Sequence, residues 1–224
     1  TLKKRTNISG AFLKGTKTEK NGWKVLKEKS MSEFWGIYRA IVHANRIRHR
    51  GVVAIECAFI KGTNVVLQSQ FYQGGDMRYW CKNKSEKSKI IAFSKIAEAL
   101  SYLHKKGIIH RDIKPENIVF DSSNDNGYPA LCDFDISKDM NETNVTTMGL
   151  VGTWLYMPPE RNTKFKRDIF SLGVAMIDVL CYDGNLNSIP TTDNGAQGMT
   201  LDLKKALVKL RSMEAKGEGM EAIV

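Results

Sequence analysis

The chain has 224 residues, with 34 lysines and arginines against 24 aspartates and glutamates, a formal net charge of +10. Hydrophobic residues make up 42% and charged residues 26%, a globular composition that excludes a disordered or fibrous chain. Cys57, Cys81, Cys132 and Cys181 are scattered without a CxxC pair, which indicates neither a zinc cluster nor a disulfide framework. They read as reduced, mostly buried thiols of a cytoplasmic or nuclear protein. The basic residues are spread along the chain rather than gathered in a run interleaved with aromatics. This points away from nucleic acid and toward a solvated basic surface suited to acidic protein partners. Ile169 to Leu180 is the longest apolar-rich stretch. It is too short to span a bilayer and is interrupted by Asp178, so a soluble protein without membrane partners is expected.

In chain order, β-branched and aromatic runs predict short strands at Trp23–Leu26, Val52–Ile60 and Asn64–Tyr72. A helix is predicted between the first two, over Ser32–Arg48. The chain turns at Gln73-Gly-Gly-Asp76. A second helix follows over Ile90–Lys106, with Ile91, Phe93, Ile96, Ala97, Leu100 and Leu103 near helical spacing and Gly107 just past its end. Asn117–Phe120 and Ala130–Cys132 are short apolar runs around a polar turn. Ile169–Cys181 is apolar nearly all round, as a core helix is. A strand-rich first lobe (1–72) and a helix-rich second lobe (73–224) result, an α+β arrangement.

Chemistry concentrates in His110-Arg-Asp-Ile-Lys-Pro-Glu-Asn117. Asp133-Phe-Asp135, Gly152-Thr-Trp-Leu-Tyr-Met-Pro-Pro-Glu160 and Asp168-Ile-Phe-Ser-Leu-Gly173 follow it. In this order and spacing the segments resemble the eukaryotic protein kinase family, whose catalytic loop reads HRDxKxxN. The likeness is strong from about Gln70 to Leu180 and weaker on either side. It implies a bilobal protein-kinase fold and transfer of phosphate from Mg-ATP to serine or threonine of a protein substrate.

That reaction needs the γ-phosphate, Mg²⁺ and an attacking hydroxyl held in line with their charge neutralised. Asp112 is suited to orient the hydroxyl proton and Lys114 to hold the γ-phosphate. Asn117 and Asp133 offer hard oxygen ligands for Mg²⁺. The resemblance further assigns ATP binding to Gly10 in a degraded glycine-rich loop, and to Lys24 on the first strand, with Lys27 and Lys29 as alternatives. It places the hinge at Gln70, Phe71 and Tyr72, a ribose contact at Asp76 and a small gatekeeper at Ser69. Arg111 implies control by activation-loop phosphorylation, by an upstream kinase or by the chain itself, with Thr143, Thr146 and Thr147 as candidate acceptors.

Two departures stand out. Asp135 replaces the glycine of DFG, as in the MAP-kinase-interacting kinases. Ala40 occupies the helix position where the lysine-pairing glutamate is expected, one turn before Ala44, which the family pattern sets against Phe134. The chain also ends before the arginine that would pair with Glu160. The rival reading is a pseudokinase acting as a nucleotide-responsive scaffold. A nucleic-acid-binding module has only the charge behind it.

Overall fold

The computed structural model describes residues 14–18, 22–134, 137–139, 154–159, 164–193 and 199–215. A four-stranded antiparallel sheet is built from β1 (Lys14–Thr18), β2 (Gly22–Ser30), β3 (Ile55–Lys61) and β4 (Asn64–Gln70), in the order β1-β2-β4-β3. Helix α1 (Phe34–Arg46) crosses between β2 and β3. Its Ile37 and Ala40, one turn apart, bury against Val65 and Leu67 of β4 in a small core of their own.

After β4 the chain enters the helical part through β5 (Gly75–Asp76) and the short helix α2 (Met77–Trp80). The turn at Gly74 presses on the chain beyond β7, because a Cβ there would come within 2.3 Å of the Ser122 carbonyl oxygen. Gly75 has φ +78°, a conformation that side chains other than glycine's rarely adopt. Helix α3 (Glu86–Lys105) starts at Ser85, whose hydroxyl accepts the Ser88 N–H at 3.1 Å, and stops before Gly107 at φ 76°. Its buried stripe is Lys89, Ala92, Phe93, Ile96, Ala99, Leu100 and Leu103. The expected Ile91 and Ala97 face solvent instead, one position off that stripe.

Short strands β6 (Ile108–Ile109), β7 (Ile118–Phe120), β8 (Pro129–Leu131) and β9 (Lys138–Asp139) frame the loops that follow α3. Strand β7 pairs with both β5 and β8. Helix α4 (Lys164–Tyr182) packs against α3. A hairpin of β10 (Thr191–Asp193) and β11 (Met199–Leu201) and helix α5 (Leu203–Ala215) complete the described fold. The main core lies between α3, α4 and the β7–β8 hairpin. The architecture is the α+β bilobal one expected: a small sheet with one helix, and a larger helical part.

Helix α4 differs from its expected all-apolar character in one respect. Its buried side includes Asp168, Ser171 and Asp178, and buried polar groups require partners. Those partners are His110 and Arg111 for Asp168, the Tyr156 and Arg167 carbonyls for Ser171, and Tyr156 and Arg78 for Asp178. No helix among the described residues is long and apolar enough to cross a membrane. The four cysteines are free thiols, and Cys57 is exposed.

Candidate active site

The loop from His110 to Asn117 has an improbable backbone held by specific bonds. Arg111 sits at φ 74°, left-handed for a residue with a Cβ. The fully buried Asp168 carboxylate holds it there, accepting the N–H of His110 and of Arg111 at 2.8 Å each. The same carboxylate lies 2.9 Å from His104 Nε2 of α3. His110 is itself buried, its Nε2 donating to the Cys132 carbonyl at 3.0 Å and its Nδ1 accepting the Asp112 N–H at 3.3 Å. That pair of contacts fixes the tautomer with the proton on Nε2.

Asp112, Lys114 and Asn117 come together. The Asn117 side-chain amide donates to both the Asp112 carboxylate and its carbonyl at 2.8 Å, and Lys114 Nζ lies 2.8 Å from the carboxylate. With the Asn117 nitrogen engaged there, its Oδ1 is the atom available to a metal. The Cys132 N–H donates to the Asn117 carbonyl at 3.0 Å, which ties Asp133 to this loop. Asp133 has φ 66°, a second strained residue, and its carboxylate pairs with Lys27 at 2.9 Å. Two hard oxygen donors and a neutralising ammonium suit an ion that keeps much of its own water, as Mg²⁺ does. Burial and the Asp133 charge push the Cys132 thiol up to about 12, so the cysteine beside the site is no nucleophile.

The strand lysine requires a correction. Lys24 was expected beside the phosphates, but it forms an ion pair with Glu56 at 2.5 Å. The reason is parity: side chains alternate along a strand, so Lys24 and Lys27 lie on opposite faces of β2. Val25, Lys27 and Lys29 stand opposite Ser69, Leu67 and Val65 of β4, the last two packed on α1. Lys27 and Lys29 are therefore on the α1 side, and Lys27 is the one paired with Asp133. Lys29, on the same face and buried, pairs with Glu33 at 3.0 Å.

On α1, Ala40 is 4% exposed and faces the sheet, with no carboxylate to offer. The His43 ring of the same helix packs against Phe134; the Ala44 side chain lies outside the described residues. The His43 ring centroid is 6.4 Å from that of Phe134, and His110 approaches Phe134 at 4.7 Å. Neither nitrogen of the buried His43 ring has a hydrogen-bond partner. Burial first, then the positive neighbours Arg46 and Arg39, lower its pKa to about 4.

Asp76 caps α2, its carboxylate accepting the Tyr79 N–H at 3.0 Å, and burial pushes its pKa up. Gln70 ends β4 opposite Lys24 and is exposed. Tyr72 is half-buried, and burial raises its phenol pKa. Ser69 stands opposite Val25 and Ile55 in the sheet. Burial, then the charges of Arg167 and Arg39, lower the Arg111 pKa. Gly10, Asp135, Thr143, Thr146, Thr147 and Glu160 lie outside the described residues.

Residues 10–216 match the family model described as the protein kinase domain. The chain is 32% identical over 174 residues to a bifunctional serine/threonine-protein kinase/NEDD4-like E3 ubiquitin-protein ligase of Dictyostelium discoideum, covering 68% of this chain and 9% of that protein. It is 31% identical over 178 residues to ribosomal protein S6 kinase alpha-6 of Danio rerio, covering 76% of this chain and 23% of the relative. It is 30% identical over 167 residues to serine/threonine-protein kinase sck2 of Schizosaccharomyces pombe, covering 70% and 25%. The chain thus spans a quarter or less of the length of these three relatives. On the strength of the family match and of these identities, the chain belongs to the protein kinase family.

Proposed function

We propose that this domain transfers the γ-phosphoryl group of ATP to serine or threonine hydroxyls of proteins. The observation that carries this reading is the Asp112 carboxylate, held by Asn117 and Lys114 at 2.8 Å each, on a loop bonded to the segment bearing the Lys27–Asp133 pair. Asp112 accepts the acceptor hydroxyl's proton as the oxygen attacks, and Lys114 holds the transferring phosphoryl group. Lys27 grips the remaining phosphates and keeps Asp133 aligned. Asn117 Oδ1 and the Asp133 carboxylate would hold Mg²⁺, which when bound neutralises charge on the phosphates. Tyr72 and the backbone of Gln70–Tyr72 face the adenine, and Asp76 the ribose, at the junction of lobes 1–72 and 73–224. Gly10 is assigned to phosphate binding by the family resemblance alone.

Regulation rests on Arg111, a guanidinium on the catalytic loop that suits a phosphate on one of the activation-segment threonines, added by an upstream kinase or in self-phosphorylation. Asp135, shared with the MAP-kinase-interacting kinases, sets the balance between active and inactive arrangements of that segment.

The test is radiolabelled transfer from ATP to protein and peptide acceptors by the parent and by Asp112→Asn. Loss of transfer with nucleotide affinity retained is expected, since Asp112 serves the nucleophile. Equal rates would overturn the assignment, and a parent that binds nucleotide without transferring phosphate would favour a scaffold role.

A further inference from the structure

A charged hub lies just outside the groups assigned to the reaction. Arg78 is the second residue of α2, two positions beyond Asp76. Its Nε donates to Glu116 Oε1 at 2.5 Å, and its Nη1 to the Gly184 carbonyl at 2.6 Å. Its Nη2 lies 2.9 Å from Asp178 Oδ2 and also donates to the Tyr156 hydroxyl. That hydroxyl in turn donates to Asp178 Oδ2 at 2.7 Å. The Asp178 side chain is fully buried, and those of Arg78 and Glu116 are each 16% exposed. Burial works against the charge on Arg78, yet Glu116, Tyr156 and Asp178 more than offset it and raise its pKa. One planar guanidinium therefore joins α2, the end of the catalytic loop, the turn at Trp154–Tyr156 and α4.

Glu116 and Asn117 belong to the single 3₁₀ turn Pro115–Asn117. Asn117 is the residue whose amide holds Asp112 by two bonds, so whatever fixes Glu116 fixes the support of Asp112. We propose that Arg78 is a positioning residue of phosphoryl transfer, acting through Glu116 and Asn117 to fix the Asp112 carboxylate. Only arginine offers forked donors in one plane to two carboxylates and a phenol at once, so lysine at this position keeps the charge and loses the geometry. The inference rests on the reading of Asp112 given above.

The experiment compares Arg78→Met, Arg78→Lys, Tyr156→Phe and Asp112→Asn with the parent. Steady-state transfer is measured against sites counted by nucleotide titration. Arg78→Met should lower kcat per nucleotide-binding site by roughly 10- to 100-fold while KM for ATP changes by less than about twofold, since the interaction serves the acceptor side. Arg78→Lys should recover part of the loss. Should Arg78→Met not fold, Tyr156→Phe keeps the ring packing, removes one link, and should lower kcat by roughly 3- to 10-fold. A residue that only stabilises the fold would reduce the number of binding-competent sites and leave kcat per site unchanged. That result in Arg78→Met, or in Tyr156→Phe should Arg78→Met not fold, overturns the proposal. Asp112→Asn separates the two failures: if it transfers like the parent, the Asp112 reading falls. If it is inactive while the hub variants match the parent, only the role of Arg78 falls.

Discussion

Replacing Lys27 and Lys24 in turn by methionine tests which face of β2 belongs to the active site. Methionine keeps the length of the stem and removes the charge. In Lys27→Met, Asp133 loses its 2.9 Å contact while remaining at φ 66°. A hydrogen bond between charged groups contributes about 1.5–3 kcal/mol, and the lower half applies here because both side chains are nearly a third exposed. With the lost grip on the phosphates added, kcat/KM for ATP should fall by roughly 100-fold or more. In Lys24→Met the loss is one of stability. Glu56 is 35% exposed and retains Gln68 as a donor at 3.3 Å. The cost is therefore about 1 kcal/mol, or a Tm lower by about 2–4 °C in a chain of this size. Transfer per folded molecule should be unchanged. The assays are initial-rate transfer across an ATP series and thermal unfolding of both variants. An inactive Lys24→Met beside an active Lys27→Met would refute the strand register argued here.

His43 is neutral in the fold, its pKa lowered to about 4 by burial and by the neighbouring positive groups. Between about pH 6.5 and pH 4 the unfolded chain binds a proton that the folded chain refuses, so stability is lost as pH falls through that window, by up to about 3 kcal/mol. His43→Leu removes two unpartnered ring nitrogens, so denaturant unfolding should show it more stable than the parent at pH 7 by about 1–3 kcal/mol and without that acid-side loss. Asp133→Ala should weaken Mg-ATP binding in calorimetry and leave the metal-free nucleotide much less affected. Equal affinities in parent and variant would place the metal elsewhere.

The catalytic loop was legible because its residues are contiguous: Asp112, Lys114 and Asn117 share one loop, and their contacts span five positions or fewer. Helix α3 was legible from periodicity, although its stripe ran one position away from Ile91 and Ala97, and α5 was not expected. Lys27 was visible as a candidate but not as the choice, since parity depends on which strand pairs with β2, and that pairing is set by tertiary structure. His43 was missed because a histidine has no apolar signature, yet a helix face can bury it against Phe134. Arg78 and Asp178 are a hundred residues apart in sequence, and nothing local to either announces the other. The polar face of α4 was misread for the same reason, because its partners lie in distant loops.

The hold of Asp168 on His110 and Arg111 has a consequence for how the protein is made. Synthesis runs from the N-terminus, so the ribosome completes the whole catalytic loop before it reaches α4. Until α4 has emerged and docked, no carboxylate is present to catch those two amides, and nothing compensates for the strained backbone at Arg111. The nascent chain therefore passes through an interval in which the His110–Arg111 end of its loop is not yet held. A chain stopped short of residue 168 would contain every residue of that loop and lack the carboxylate that holds its His110–Arg111 end.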